Sequence, residues 1–145
     1  MAIVAGCRPQ LLACVDQIAA ISDDSKPMIQ HVAREITATD LEPCLNFYAI
    51  LGFSHVPVPD GIAGRAAWLE RDGTQIHLLL ADDAQPERGH VAVVVENYDD
   101  TLRALTDAGH TVEPRRRHWG SPRAFVRDPA GHQVEVMAFA PDAAG

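Results

Sequence analysis

The sequence predicts an α+β domain in which two βαβββ modules form an open, curled barrel of mixed sheets. The main observation is an internal repeat that begins after residue 28. His31 recurs 59 residues later as His90, and "GTQIH" at 73–77 recurs 58 residues later as "GHQVE" at 131–135. Each copy also has the same order of predicted elements: one strand, one helix and three short strands. Such a repeat indicates two equivalent modules, 28–84 and 88–140, within one domain at 28–145.

The first module begins with "QHVAREI" at 30–36, which is typical of a strand. The amphipathic stretch "TDLEPCLNFYAILGF" at 39–53 predicts a helix that begins after Thr39 or Asp40 and ends at Gly52. Turn-forming stretches, "PDGIAG" and "RDG", then separate three predicted strands near 53–58, 65–70 and 74–80.

The second module repeats this order, with a strand at 89–95 and a helix at 98–110 that has Asp99 or Asp100 near its start. Strands follow near 110–114, 123–127 and 132–139. The last of them, "GHQVEVMAF", carries Glu135 between two apolar faces. Because a buried carboxylate is costly unless it is paired, hydrogen-bonded or bound to a metal, Glu135 is expected to have a partner.

Residues 1–27 differ from the repeat. The stretch "RPQLLACVDQIAAI" has apolar residues close to helical spacing, and "SDDSKP" ends it with turn formers. This pattern predicts a helical extension that packs on the domain or on a partner chain. The alternative is a mobile tail from an early start codon.

Composition excludes several classes of protein. Twelve Lys and Arg against twenty Asp and Glu leave a net charge of -8, which argues against nucleic-acid binding. The N-terminal apolar patch is interrupted by charges, so neither a membrane span nor a signal peptide is predicted. Three scattered cysteines do not suggest a disulfide framework, and they fit a reducing cytoplasm.

Four side chains that can bind metals occupy equivalent points of the repeat: His31 and His77 in the first module, His90 and Glu135 in the second. Two half-barrels related by a pseudo-twofold axis could bring them to one centre. Three imidazoles and a carboxylate suit Zn²⁺ or another first-row divalent cation, such as Ni, Mn or Fe. The alternative is that these histidines are ordinary, satisfied core residues.

The motifs "DLEPCLNFYAILGF", "TQIHLLL", "GHVAVVV" and "RAFVRDPAGHQVEVM" resemble the vicinal oxygen chelate superfamily, which includes glyoxalase I, bleomycin resistance proteins and extradiol dioxygenases. The resemblance covers about residues 29–140 and places the family's metal ligands at His31, His77, His90 and Glu135. It implies a small-molecule substrate that chelates the metal through neighbouring oxygens. It also implies a homodimer, with a site formed within one chain or between two.

The resemblance leaves three functions open. A glyoxalase-type lyase or isomerase would use Glu135 as the catalytic base. An Fe(II) dioxygenase would use only His31, His90 and Glu135. A bleomycin-resistance-like binding protein would need no metal. The fourth ligand position at His77 favours the first of these.

Further residues are predicted to contact the substrate. The basic stretch "RRRHW" at 115–119, which includes His118, is expected near the entrance of the site and could bind an anionic group. A solvated basic loop is the alternative. Arg123 is expected to reach inward from its strand, and Trp68 is a candidate for the cavity wall. No functional role is predicted for His55, His110 or His132.

Overall fold

The structure, a computed structural model, describes residues 29–141. The first module contains β1 (His31–Ile36), α1 (Leu41–Ile50), β2 (Ser54–Val56), β3 (Ala66–Arg71) and β4 (Thr74–Leu80). The second contains β5 (His90–Val94), α2 (Tyr98–Asp107), β6 (Val112–Pro114), β7 (Arg123–Arg127) and β8 (Gln133–Met137). The order βαβββ is therefore confirmed in both copies. The helical extension predicted for 1–27 lies outside the described residues, so that division of the chain stays a prediction.

Most differences from the predicted bounds are at the ends of elements. A 3₁₀ turn at Ala38–Asp40 precedes α1, and α2 ends three residues earlier than predicted. Gly109 has a φ of +90°, which is unfavourable for other residues and ends that helix. The last strand is Gln133–Met137 and is therefore shorter than the predicted 132–139.

The strands form two four-stranded mixed sheets that do not close into a barrel. Their orders are β1-β4-β3-β2 and β5-β8-β7-β6. In each sheet the first strand of the module pairs in parallel with the last, and the other pairs are antiparallel. The registers match, because His31 lies opposite Gln75 and His90 lies opposite Gln133. The repeat seen in the sequence is therefore a repeat of strand pairing as well.

One face of each sheet packs on the helices and forms the core. Side chains alternate between the two faces of a strand. Ile76 and Leu78 of β4 and Val134 and Val136 of β8 are almost completely buried on the inner face. Phe47 of α1 is buried in the same cluster. The opposite, outer face of each sheet carries the candidate site residues.

Buried polar contacts connect the modules. Tyr48 of α1 donates a hydrogen bond from its hydroxyl to Asp128 Oδ2 at 2.8 Å, and both residues are buried. His132 is fully buried, and its Nε2 donates to the Glu35 carbonyl at 2.8 Å. Its Nδ1 accepts the Glu87 N–H at 3.3 Å, so the ring is neutral with the proton on Nε2. His132, which the sequence left without a role, is therefore a structural link between the modules.

Candidate functional site

The four predicted metal ligands lie on the outer faces of the two sheets. Ala33 of β1 lies opposite His77, and Ala92 of β5 lies opposite Glu135. Since β1 and β4, like β5 and β8, run parallel, His31 shares a face with His77 and His90 shares a face with Glu135. Each module therefore presents one pair of candidate ligands at corresponding points.

The first pair is part of an aromatic stack. His77 lies between His31 and Trp68, with ring centroids 4.2 Å away on each side. The planes are nearly parallel, at 13° to His31 and 5° to Trp68. Burial, and secondarily the nearby His31, lower the pKa of His77 below its ordinary value. The outer face of the first sheet therefore presents a flat aromatic surface at these three residues.

In the second pair, the buried carboxylate of Glu135 lies beside His90 and also beside Arg123. His90 Nε2 lies 3.1 Å from Glu135 Oε2, and Arg123 Nε lies 2.5 Å from Glu135 Oε1. The contact with Arg123 is an ion pair without the alignment of a hydrogen bond, so both atoms lack a hydrogen-bond partner among the described residues. A cation and an imidazole thus compensate this charge.

Arg123 belongs to a cationic and aromatic cluster. Its guanidinium lies 5.5 Å from the ring centre of Phe125 and 5.6 Å from that of Trp119. Arg115 also lies over Phe125, 4.8 Å from the centre of its ring. His118 is exposed and stacks loosely on Trp119, with ring centres 6.4 Å apart. Of the predicted substrate contacts, Arg123 and His118 therefore lie in or beside this cluster.

Trp68, the third predicted substrate contact, lies in the other sheet, next to His77. Its Nε1 is buried and has no hydrogen-bond partner within residues 29–141. The structure thus brings the candidate residues together in two groups, one on each sheet.

The pairs differ in how well they fit a metal ion. Two ligands of one tetrahedral Zn²⁺, bound at about 2.0–2.2 Å, lie a little over 3 Å apart, and His90 and Glu135 match that spacing. The lone pairs of imidazole lie in the ring plane, so the stacked His31 and His77 cannot both point at one ion until a ring rotates. Across residues 29–141, no three His, Cys, Asp or Glu side chains form one metal-competent group. Convergence of all four ligands stays a prediction.

The sequence did not indicate that Arg123 contacts Glu135. In β7 and β8, Phe125 lies opposite Glu135, and Arg123 is two residues away on the same face. That diagonal position is within reach of a long side chain. The alternation of side chains along β7 would predict this contact once the register of β7 against β8 is known.

Within the described part of the chain, no helix is long and apolar enough to cross a membrane.

Comparison with known proteins supports the resemblance. Among solved structures, a glyoxalase family protein from Bacillus anthracis is 25% identical, with a TM-score of 0.70 over 79% of this chain and 96% of that one. Lactoylglutathione lyase from Agrobacterium tumefaciens is 19% identical, with a TM-score of 0.60 over 79% and 95%. The bleomycin resistance determinant encoded on transposon Tn5 is 16% identical, with a TM-score of 0.56 over 73% and 94%.

No curated protein sequence matches this chain significantly. The family model described as "Glyoxalase/Bleomycin resistance protein/Dioxygenase superfamily" matches residues 28–136, which is most of the chain. The two-module fold agrees with that match. The chain therefore belongs to the glyoxalase/bleomycin resistance protein/dioxygenase superfamily.

Proposed function

We propose that this protein is a metal-dependent lyase or isomerase of glyoxalase type that acts on a small, oxygen-chelating substrate. The observation that carries the proposal is the matched placement of two ligand pairs on the outer faces of the two sheets. The 3.1 Å separation of His90 Nε2 and Glu135 Oε2 adds a pair with the spacing of adjacent ligands.

His31, His77, His90 and Glu135 would hold a divalent ion such as Zn, Ni, Mn or Fe. When bound, the ion would polarise neighbouring oxygens of the substrate as a Lewis acid. Superfamily members commonly use divalent metals. His31 and His77 must leave their stacked arrangement to bind the ion. Each would also exchange its 2.8 Å hydrogen bond to a neighbouring glutamine for a bond to the metal.

Glu135 is the proposed catalytic base. Its carboxylate would take a carbon-bound proton from the substrate and return it to the adjacent carbon, so the net change is an isomerisation. Arg123 holds Oε1 of that carboxylate, so Oε2, the oxygen near His90, would leave the ligand set to take the proton. Arg123 thereby fixes the orientation of the base.

Substrate contacts are proposed for Arg123, Trp68 and His118. Trp68 Nε1 is a buried donor without a hydrogen-bond partner in the described part of the chain. An unpaired buried donor is costly, and a bound ligand with an acceptor oxygen would satisfy it. Arg115 and Arg123 together would favour an anionic substrate group.

A homodimer would unite the two ligand pairs. Within one chain the pairs lie on different sheets and form no group of three ligands among residues 29–141. Members of this superfamily often dimerise, and a second copy could set the outer face of its first sheet against the outer face of the second sheet. Leu79, which is exposed on the outer face of the first sheet, would be covered by this contact. A cytoplasmic location would fit the free, buried Cys44.

The test is elemental analysis of protein purified without added metal, for the wild type and for His90→Ala and Glu135→Ala. His55→Ala is the matched control, because His55 is exposed on β2 away from the ligand pairs. The proposal predicts a stoichiometric metal in the wild type and control and its loss in both site variants. Turnover of lactoylglutathione, the compound named for the Agrobacterium neighbour, is then measured on the same samples. Equal metal content in all four proteins would refute the ligand set.

A second candidate function is metal-free binding of a small molecule. The Arg123–Glu135 ion pair favours it, because the carboxylate already has a cation beside it. The flat stack of His31, His77 and Trp68 would suit a planar ligand. This candidate predicts protein that is purified without metal and still binds bleomycin, the ligand named for the Tn5 neighbour, in a calorimetric titration.

A further inference from the structure

A pocket of about 600 Å³ lies between the edge of β5 and the turn that joins β3 to β4, and His90 is the one proposed metal ligand among its lining residues. Its walls are mainly apolar and include Val32, Phe53, Ile76, Val91 and Val93. Arg71, Asp72 and Thr74 of the turn close one end. The pocket therefore borders the hydrophobic core on one side and the sheet edge on the other.

The repeat explains why no side chain of residues 29–141 fills this space. The corresponding place in the other half of the molecule lies between the edge of β1 and the turn that joins β7 to β8. There, two buried residues fill the gap: His132 bonds to the Glu35 carbonyl, and Arg34 approaches the Gln133 carbonyl at 3.5 Å. At the β5 edge, the residues in the positions of His132 and Arg34 are the shorter Thr74 and Val93. The contact between the β5 edge and the β3–β4 turn therefore leaves a space that larger side chains fill in the other half of the molecule.

The edge of β5 also has unused backbone groups. β5 is the terminal strand of its sheet and pairs only with β8 among the described strands. Val95 N–H bonds to Met137, so alternate residues, including Ala92 and Val94, turn their N–H and C=O groups away from β8. A helix has no free backbone groups to pair with this edge, so a helical segment would cover it only by packing side chains into the apolar pocket, and exchange of these edge amides reports that cover.

Residues 1–28 are placed to reach this pocket. The described chain begins at Ile29, which lines the pocket and is 73% exposed. The stretch at 8–21 has the apolar spacing of an amphipathic helix, and 14 residues in a helix would be about 21 Å long. The five residues of β5 extend about 17 Å. Seven residues at 22–28 could span up to about 23 Å, which is enough to turn the helix back over the strand.

We propose that the pocket beside β5 is the docking site of the chain's own N-terminal segment, residues 1–28, and that the apolar side of the stretch at 8–21 covers it. Leu12, Val15 and Ile18 supply apolar side chains at helical spacing for the apolar wall. A segment joined directly to the pocket at Ile29 acts at an effective concentration in the millimolar range. It therefore outcompetes a second copy of the chain at ordinary protein concentrations. This inference does not depend on the proposed function.

Cross-linking tests the proposal in the full chain. Thr74→Cys places a thiol at the pocket, and Cys14 is already present in the segment. Cys7→Ser removes the other cysteine of the segment, and the fully buried Cys44 stays unreactive. Ala104→Cys, exposed on α2, is the matched control position.

After mild oxidation, the proposal predicts an intrachain disulfide between Cys14 and the thiol introduced by Thr74→Cys, identified by peptide mass spectrometry. The Ala104→Cys control should cross-link at least tenfold less. Disulfide-linked dimers of the Thr74→Cys chain would show that a second copy occupies the pocket and would overturn the proposal. Equal cross-linking at both positions would also overturn it.

Hydrogen exchange gives a second readout that requires no introduced thiol. In the full chain carrying Val15→Glu and Ile18→Glu, the amides of Ala92 and Val94 should exchange roughly tenfold faster than in the wild type. The amide of Val93, which faces β8, is the internal control. Unchanged exchange at Ala92 and Val94 would overturn the proposal, and a matching rise at Val93 would do so as well, because it would show general destabilisation.

Discussion

The hydrogen bond between Tyr48 and Asp128 offers a direct test of how the two modules are held together. Tyr48→Phe removes only the hydroxyl, whose oxygen lies 2.8 Å from Asp128 Oδ2. Tyr48 is 1% exposed and Asp128 is 3% exposed, so water has little access to replace the donor. Burial, and secondarily the charge of Asp128, raise the pKa of Tyr48 well above its ordinary value, so the hydroxyl remains a donor at neutral pH.

The magnitude follows from the charge on the acceptor. A hydrogen bond to a buried carboxylate contributes about 1.5–3 kcal/mol. Asp128 keeps one partner in the variant, because its Oδ1 still accepts the His132 N–H at 2.9 Å. With a urea m-value of roughly 2 kcal/mol/M, the loss lowers the unfolding midpoint by about 1 M.

Urea unfolding followed by far-ultraviolet circular dichroism measures this shift. Tyr98→Phe is the matched control, because Tyr98 is half-buried and its hydroxyl has no hydrogen-bond partner in the described part of the chain. A double-mutant cycle with Asp128→Asn should give a coupling free energy of about 1 kcal/mol or more. Equal midpoints for Tyr48→Phe and Tyr98→Phe, with no coupling in the cycle, would refute this account of the contact between modules.

Three further predictions concern the site, an acidic group in the core and a turn. Arg123→Gln should leave Glu135 buried without its cation, which costs about 3–5 kcal/mol of unfolding free energy. The same change should strengthen metal binding, as measured by calorimetry, and weaker metal binding would contradict the assigned roles. Burial raises the pKa of Cys44 from 9.0 to about 12. An acid whose folded pKa is raised loses its stabilising effect as pH rises, so the stability advantage of the wild type over Cys44→Ala should shrink above pH 9, and a constant difference would be inconsistent with this burial. Gly131→Ala should destabilise the protein, because Gly131 has a φ of +92° and a Cβ there would lie 3.3 Å from Pro86; Gly89→Ala, with no atom within 4 Å, should change thermal stability less.

The fold could be predicted from the sequence because its strongest signal is the repeat. Strand β4, Thr74–Leu80, and strand β7, Arg123–Arg127, have the predicted bounds, since short runs rich in β-formers end at turn residues. The offsets of the repeat also related His31 to His90 and His77 to Glu135, which placed one pair of candidate ligands in each module. That each pair shares one face of its sheet follows from the observed strand register.

The contacts within the site could not be predicted in the same way. The ion pair between Arg123 and Glu135 depends on the register of β7 against β8, which the length of the connecting turn sets. The burial of Arg34 and His132 depends on how the two modules pack, because single polar residues in apolar strands give no sign of the carbonyls they will meet. The stacking of His31 on His77 depends on side-chain rotamers, which strand patterns do not specify.

The most direct test of the proposed site is complementation between two inactive chains. One chain carries His31→Ala and His77→Ala, and the other carries His90→Ala and Glu135→Ala, so neither alone has both ligand pairs. If the pairs meet across a homodimer, mixing equal amounts under conditions of subunit exchange should restore metal binding to about a quarter of the sites, because half of the dimers are mixed and each has one intact site. Metal content in the mixture no higher than in either chain alone would contradict a site shared between two copies.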